Sequence, residues 1–215
     1  MMKVLCISAS NIMKKSLDDS TSDKLCKLII ECLPIEHYFG EIIDLRKHKI
    51  NPCICCGDCL ETHRCVFDKE FNCIYEKIIG SNILFIVSPH YAPIPAKLCM
   101  LLEKMEQITF LHWAKDNNYK AEVFGIPTGI ISHGGGSDWA LSSYKAMVND
   151  TIANALDTIQ LKIIPYSQEW NTGISIPVAN IVNNRDDIFP HQEYDWDKIK
   201  DRVAEYISKV IKLYI

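Results

Sequence analysis

Short apolar runs alternate with amphipathic stretches along this chain, and the alternation predicts strands followed by helices. A continuous apolar run is typical of a strand buried on both faces, whereas apolar residues three and four positions apart indicate a helix with one buried face. The predicted strands are residues 3–8, 38–45, 82–88, 127–132 and 161–165. The predicted helices are residues 22–33, 68–79, 96–113, a long helix capped by Asp138, and residues 195–213.

The five strand–helix alternations predict an α/β fold, a doubly wound parallel sheet with helices on both faces. A chain of 215 residues with 48% hydrophobic content is long enough to bury one sizeable core. We therefore expect a single domain over residues 1–215, with a cysteine-rich loop at 51–66 and a C-terminal extension at 167–215. Residues 167–192 show no firm pattern beyond possible short strands.

Composition and charge narrow the class of partner. The net charge is −4 and no basic face dominates, which disfavours nucleic acid. No apolar run approaches the roughly 20 residues that span a membrane, and the N-terminus lacks the small-residue cleavage site of a signal peptide. We expect an intracellular, cytoplasmic protein. In such a chain, ten cysteines favour metal or redox chemistry over disulfides.

Four of these cysteines, Cys53, Cys56, Cys59 and Cys65, form a C-x2-C-x2-C-x5-C motif. Thiolates at this spacing can converge on one centre, as the ligands of a [4Fe–4S] cluster do. The motif is also compatible with tetrahedral zinc, or with buried structural cysteines that bind no metal. Gly57 allows a tight bend, and Cys55 is a further thiol that could replace Cys53 or Cys56. The other cysteines lie in apolar stretches and are predicted to fill the core: Cys6, Cys26, Cys32, Cys73 and Cys99.

Three loops follow predicted strands and are candidate ligand sites, because ligands of open parallel sheets bind outside the carboxyl ends of the strands. The first loop, residues 8–22, is rich in hydroxyls and precedes a helix start, which makes it a candidate phosphate site. Lys14 and Lys15 could add positive charge. An ordinary polar loop with Ser20 or Thr21 as the helix cap is the alternative. The loop contains neither G-x-G-x-x-G nor G-K-[ST], so a dinucleotide-binding turn and a P-loop are disfavoured.

The second and third loops offer an aromatic face and a glycine run. In the second loop, Tyr91 could contact a planar ligand, and the backbone N–H groups of His90 and Tyr91 are expected to be available to ring heteroatoms. A histidine such as His90 is more often structural than catalytic. In the third loop, the three glycines after His133 permit unusual dihedral angles and close approach to a ligand, or form only a flexible connector.

From residue 3 to about residue 139, the sequence resembles the flavodoxin-like NADPH-dependent FMN reductase superfamily, and within it the iron–sulfur flavoproteins. The resemblance is carried by the Ile-Ser-Ala-Ser start at 7–10, Ser-Asp-Lys-Leu at 22–25, the cysteine block from residue 50 onward, Ser-Pro-His-Tyr at 88–91 and Ala-Lys-Leu at 96–98. It implies a five-stranded sheet of order 2-1-3-4-5. It also implies homodimers or homotetramers in which the cysteine loop of one subunit lies near the flavin of its neighbour.

The resemblance also implies cofactors and their binding residues. The FMN phosphate would be held by Ser8, Ser10, Ser20, Thr21 and Ser22. The isoalloxazine ring would be lined by Pro89, His90 and Tyr91, with His133, Gly134 and Gly135 at its far edge. The cluster ligands would be Cys53, Cys56, Cys59 and Cys65.

Three functions are compatible with these residues. The first is an iron–sulfur flavoprotein that passes electrons between a reduced donor and an acceptor, either a redox partner protein or a small molecule. No protein nucleophile or general base is needed for this. The second is an NAD(P)H-dependent FMN or quinone reductase without a cluster. The third is a zinc-stapled, non-enzymatic binding module.

Overall fold

A parallel sheet forms the centre of the protein in the computed structural model, which describes residues 1–11, 20–182 and 191–212. The strands of these ranges are β1 Met2–Ser8, β2 Tyr38–Asp44, β3 Ile83–Pro89, β4 Pro127–His133, β5 Lys162–Ile163, β6 Ile174–Ile176, β7 Asn180–Val182 and β8 His191–Glu193. The main sheet has the order β2-β1-β3-β4-β5, and all its neighbours are parallel. The expected 2-1-3-4-5 order is therefore confirmed.

The fifth position of the sheet is divided between two short strands. β5 pairs with the start of β4, and β6 pairs with its end. Between them, the hydroxyl of Tyr206 accepts a hydrogen bond from the Ile130 N–H (3.2 Å) and donates one to the Ile164 carbonyl (2.7 Å). This buried hydroxyl thus satisfies backbone groups at the interruption. The predicted strand 161–165 is correspondingly shorter than expected, and β6 arises from the unassigned segment.

Helices cover both faces of the sheet. They are α1 Thr21–Glu31, α2 Cys59–Thr62, α3 Lys69–Ile79, α4 Ala96–Trp113, α5 Leu141–Tyr144, α6 Asp150–Thr158 and α7 Trp196–Lys212. Alternate residues of β1 divide between the two cores: Leu5 and Ile7 pack with α3, α4 and α6, whereas Val4 and Cys6 pack with α1 and α7. Burial on both faces explains why the central strands are continuously apolar.

The long helix predicted after Asp138 is a composite. A short 3-10 turn, Asp138–Ala140, leads into α5, and a π-helical stretch, Lys145–Asn149, separates α5 from α6. Asp138 lies inside the first turn and makes no cap, because Ser137 occupies the N-cap position. The π-helical stretch changes the register of the helix surface, and Met147 within it is exposed.

All ten cysteines are free thiols. Cys6 and Cys26 are buried as predicted, and Cys32 is half-buried. The prediction is wrong for Cys73 and Cys99, which lie on the solvent-facing sides of α3 and α4. Within the described ranges, none of the helices combines the length and the apolar character that crossing a membrane requires.

A buried hydrogen bond joins the start of α1 to the end of β4. The Ser22 hydroxyl and His133 Nε2 lie 2.8 Å apart, and both side chains are buried. Burial lowers the pKa of His133 to about 4 because desolvation disfavours the imidazolium. The neutral ring is therefore part of the native packing at this edge of the sheet.

Replacing Tyr206 with Phe should destabilise the protein by about 1–3 kcal/mol, because it leaves buried backbone groups without a partner. Urea unfolding monitored by circular dichroism measures the change. Tyr166→Phe is the matched control, since its hydroxyl bonds to Glu205 at the exposed surface, and it should change stability by less than about 0.5 kcal/mol. Equal effects of the two variants would contradict the bridging role of Tyr206.

The buried His133 should make stability depend on pH. The unfolded chain binds a proton at this histidine below about pH 6.5, whereas the native protein binds it only near pH 4. Stability should therefore fall as the pH falls through this window, by up to about 1.4 kcal/mol per pH unit. His133→Gln should reduce that slope in urea unfolding at several pH values, and His37→Gln, at an exposed histidine, should not. An unchanged slope in His133→Gln would contradict the assignment.

Candidate functional site

The three predicted ligand loops meet at the carboxyl edge of the sheet. β1, β3 and β4 are neighbours, and their register places Ser8 beside Val87 and Pro89 beside His133. Parallel pairing therefore brings the chain after Ser8, after Pro89 and after His133 to one edge. The start of α1 joins them through the Ser22–His133 bond.

Hydroxyls of the first loop are bonded to a buried carboxylate. The Ser8 hydroxyl donates to Asp23 Oδ1 (2.6 Å) and the Ser20 hydroxyl to Asp23 Oδ2 (2.8 Å). Ser20 is also the N-cap of α1, and its hydroxyl accepts from the Asp23 N–H while the Asp23 carboxylate accepts from the Ser20 N–H. This capping box fixes the start of the helix. Ser20, one of the two predicted caps, fills that position.

Arg46 offsets the charge of this carboxylate. Its guanidinium contacts Asp23 and forms two bonds of 2.8 Å to Asp44. Burial alone would raise the pKa of Asp44, but the hydrogen bonds from Arg46 hold it below its usual range. Sequence reasoning missed Asp23 and Arg46. The spacing of Ser20 and Asp23 was an available signal, because a side chain three positions after the cap is where a capping box forms.

The remaining residues of the predicted phosphate site differ in their surroundings. Ser10 is buried beside the end of β1, and the Thr21 side chain lies close to the Tyr194 hydroxyl. Lys14 and Lys15 lie outside the described residues. The described part of the site therefore consists of the two ends of the loop and the first turn of α1.

The second loop closes on itself more than the sequence indicates. The His90 N–H donates to the His133 carbonyl (2.8 Å), and the Tyr91 N–H donates to the Pro93 carbonyl (2.8 Å). The expectation that both N–H groups are free for a ligand is therefore wrong: one extends the β3–β4 ladder, and the other closes a local turn. The Tyr91 side chain remains 38% exposed. The His90 Nε2 atom is buried and has no hydrogen-bond partner in the described part of the chain.

The glycines of the third loop make room for an aromatic ring. A Cβ at Gly134 would lie 2.5 Å from the Tyr144 ring, and one at Gly136 would lie 2.4 Å from the Ala140 side chain. The Gly136 N–H donates to the Tyr144 hydroxyl at 2.5 Å. None of Gly134 to Gly136 has a left-handed φ. The expectation of unusual dihedral angles is therefore wrong, and internal packing requires small residues at positions 134 and 136.

Two tyrosines that sequence reasoning missed border this loop. Tyr144 lies with its ring 5.7 Å from that of His90. The Tyr194 hydroxyl lies 3.4 Å from the Gly134 carbonyl and 3.0 Å from Gln192 Oε1, and burial raises its pKa to about 12. Tyr194 follows the segment that carried no firm pattern, so the sequence offered no signal for its placement.

The cysteine loop is held in a defined path by side chains of α3, α4 and the residue before α3. Asp68 accepts from the Asn51 N–H (2.8 Å), and Glu103 accepts from the Cys53 N–H (3.0 Å). Asn72 bonds both the N–H and the carbonyl of Cys65. Between these anchors the chain turns at Gly57, whose φ is +85°. The tight bend predicted at Gly57 is confirmed.

All the cysteines of the motif line one cavity of about 200 Å³, which Cys55, Lys104 and several apolar side chains complete. Burial raises the pKa of Cys59, and the neighbouring charges of Cys56, Cys53 and Cys65 raise it further. The four thiols are therefore close neighbours. Cys55 lies beside Cys53, with its N–H 3.4 Å from the Cys53 sulfur. Among the described residues, however, no group of three or more His, Cys, Asp or Glu side chains is arranged to hold a metal ion.

Solved structures with the same fold are flavoproteins of several kinds. RosB, solved with bound 8-demethyl-8-formylriboflavin-5'-phosphate, has a TM-score of 0.65 and 14% identity, over 100% of this chain and 79% of RosB. FerB, an NAD(P)H:(acceptor) oxidoreductase flavoenzyme from Paracoccus denitrificans, has a TM-score of 0.58 and 14% identity, over 99% and 98% of the two chains. Oxidised flavodoxin 1 from Bacillus cereus has a TM-score of 0.52 and 9% identity, over 98% of each chain.

The family is established by the sequence itself. No curated protein matches the chain, but residues 2–161 match the family model described as NADPH-dependent FMN reductase. That match covers β1 to α6 and hence all three loops at the sheet edge as well as the cysteine loop. The chain belongs to the NADPH-dependent FMN reductase family and is an FMN-dependent oxidoreductase.

Proposed function

We propose that this protein transfers electrons between a reduced donor and an acceptor through FMN and a [4Fe–4S] cluster ligated by Cys53, Cys56, Cys59 and Cys65. The cavity shared by these four cysteines is the observation that carries the proposal. FMN, when bound, accepts an electron pair or a hydride, and a cluster exchanges single electrons. The protein would hold and orient the two cofactors and set the charge around them. None of its side chains would act as a nucleophile or a general base.

The cysteine loop is compatible with a cluster. Thiolates around a cluster bind different iron atoms, so they stand further apart than ligands of one metal ion. A shared cavity without a compact ligand group is compatible with that difference. The backbone bonds from Asp68, Asn72 and Glu103 hold the loop in place. Cys55 is the thiol that could replace Cys53 as a ligand, since the two residues lie side by side.

FMN fits the three-loop edge of the sheet. Ser8, Ser10, Ser20, Thr21 and Ser22 are the proposed phosphate residues, and Arg46 keeps the nearby Asp23 from repelling an anion. Pro89, His90 and Tyr91 are the proposed ring wall, with His133, Gly134 and Gly135 at its edge. The unpartnered, buried His90 Nε2 supports this placement, because such an atom is costly unless a ligand or water satisfies it.

We also propose that the protein is a homo-oligomer in which the cysteine loop of one subunit approaches the flavin of another. Large apolar side chains are exposed on that loop, directly after it and on α4, namely Ile54, Phe67, Phe110 and Trp113. Exposed apolar residues of this size favour burial against a partner. A redox partner protein or a small-molecule acceptor would complete the electron path.

A cluster-free NAD(P)H-dependent FMN or quinone reductase is the second candidate. It is favoured by the family description, by the activity of FerB, and by the absence of a metal-binding group among the described residues. The cysteines would then be structural thiols. The zinc-stapled, non-enzymatic module is disfavoured, because the family is one of flavin-dependent enzymes.

Protein purified without oxygen should show flavin bands on a broad iron–sulfur shoulder and contain about four irons and four sulfides per chain. Cys56→Ser and Cys59→Ser should lose the shoulder and most of the iron. Cys73→Ser, at an exposed cysteine outside the motif, is the matched control and should keep both. Flavin bands without iron, together with NAD(P)H oxidation that the cysteine variants do not alter, would contradict the cluster and favour the second candidate.

Tyr91→Ala should weaken FMN binding about twofold to tenfold, since an aromatic contact contributes roughly 0.5–1.5 kcal/mol. Tyr91→Phe keeps the ring and should bind FMN nearly as the wild type does. Quenching of flavin fluorescence during titration of the apoprotein measures both affinities. Wild-type affinity in Tyr91→Ala would exclude Tyr91 from the flavin wall.

A further inference from the structure

Lys104 is a buried lysine whose side chain lines the cysteine cavity. It lies on α4 with 4% of its surface exposed, whereas its charged neighbours on the helix, Glu103 and Glu106, are exposed. Lysine is almost never fully buried unless it is paired, because removing an ammonium group from water costs several kcal/mol. Its position therefore needs a specific explanation.

The contacts of Lys104 point toward the cysteine motif. Its Nζ atom donates to the Cys65 sulfur at 3.4 Å and lies 3.7 Å from Asp68 Oδ2. The ammonium also lies 5.7 Å from the centre of the Phe71 ring, within the range of a cation–π contact. The shortest of these polar contacts is the one to a sulfur atom.

Asp68 does not depend on Lys104 for its hydrogen bonds. Its Oδ1 accepts from the Phe71 N–H (2.9 Å), which caps α3, and its Oδ2 accepts from the Asn51 N–H (2.8 Å). Both carboxylate oxygens thus hold backbone groups that fix the two sides of the cysteine loop. A neutral, apolar side chain at position 104 would leave these bonds in place, so the hydrogen bonds of Asp68 do not by themselves require the lysine.

We propose that Lys104 is a positioning residue that offsets the negative charge of an iron–sulfur cluster and donates a hydrogen bond to its Cys65 ligand. This inference rests on the proposed cluster function. Four thiolate ligands bring negative charge into a partly buried cavity, where a nearby cation acts more strongly than in water. Net charge and hydrogen bonds to sulfur are among the factors that set the reduction potential of a cluster.

The effect concerns a one-electron reduction. One electron enters the cluster from the reduced donor, or from dithionite in the experiment, and no bond forms or breaks. By stabilising the more negative, reduced state, the ammonium should raise the reduction potential relative to a protein with a neutral side chain there.

The test compares Lys104→Met, Lys104→Arg and Lys69→Met. Methionine keeps an unbranched side chain without the charge, and arginine keeps the charge. Lys69→Met is the matched control, since it removes the same charge from an exposed residue next to Asp68, where solvent screens it. The readouts are the iron content of each anaerobically purified protein and the midpoint potential of its cluster, from dithionite titration followed by electron paramagnetic resonance.

Lys104→Met should shift the reduction equilibrium by about tenfold or more toward the oxidised cluster, which lowers the potential by about 59 mV or more for one electron. Lys104→Arg and Lys69→Met should stay near the wild type. If Lys104→Met folds, by circular dichroism, but loses iron that Lys104→Arg retains, the charge is needed to hold the cluster, and the inference is supported.

Three outcomes would overturn the inference, and they are distinguishable from one another. If the wild type holds its cluster and Lys104→Met has the same potential as Lys69→Met, Lys104 has no electrostatic role, while the proposed function stands. Loss of the fold in both Lys104 variants would likewise assign a structural role only. If the wild type itself contains no iron after anaerobic purification and reconstitution, the proposed function fails, and the inference fails with it.

Discussion

The parallel pairing of β1, β3 and β4 is the constraint on which both candidate sites depend. These strands are buried on both faces, so a one-residue shift of register would move each side chain from one core into the other and disrupt the packing of both. The register in turn fixes where each strand ends, and parallel strands end at the same edge. The loops after Ser8, Pro89 and His133 therefore meet without needing any contact with a ligand. Tyr206 extends this order to the interrupted fifth position by satisfying backbone groups between β5 and β6.

Helix α4 connects the carboxyl edge of the sheet to the cysteine loop. It begins at Ala96, directly after the loop that carries Tyr91, and near its start Lys97 donates to the carbonyls of Leu45 and Arg46. Two turns later, Glu103 holds the Cys53 N–H and Lys104 contacts Cys65. At 1.5 Å per residue, Ala96 and Lys104 are about 12 Å apart along the helix axis. Because a helix packed into the core is rigid, this spacing between the two regions is built into the subunit.

The sequence predicts the fold better than it predicts the site. Apolar residues identify the strands and the buried face of α4, because buried positions are occupied by apolar residue types at the spacing of the element. No sequence pattern indicates the division between β5 and β6, since it depends on the Tyr206 hydroxyl of α7, which is distant in sequence. The same holds for the N–H groups of His90 and Tyr91, which bond to the His133 carbonyl on the neighbouring strand and to the Pro93 carbonyl in a local turn. The glycines after His133 accommodate Tyr144, and Asp23 and Arg46 meet only after folding. The motif cysteines were predictable as neighbours because their spacing is local.

The buried charged side chains are concentrated in the same two regions. Among the described residues, the buried aspartate and lysine side chains are Asp23, Asp44, Asp68 and Lys104. Two of them lie with Arg46 at the start of α1, and the other two lie at the cysteine cavity. Each site thus combines carboxylates that fix helix starts or turns with a cation beside them. Buried ion pairs contribute little net stability compared with apolar packing, so stability alone does not account for this distribution. The fold thus keeps these four charged side chains out of water at the two candidate sites, beside the loops where we propose that FMN and the cluster bind.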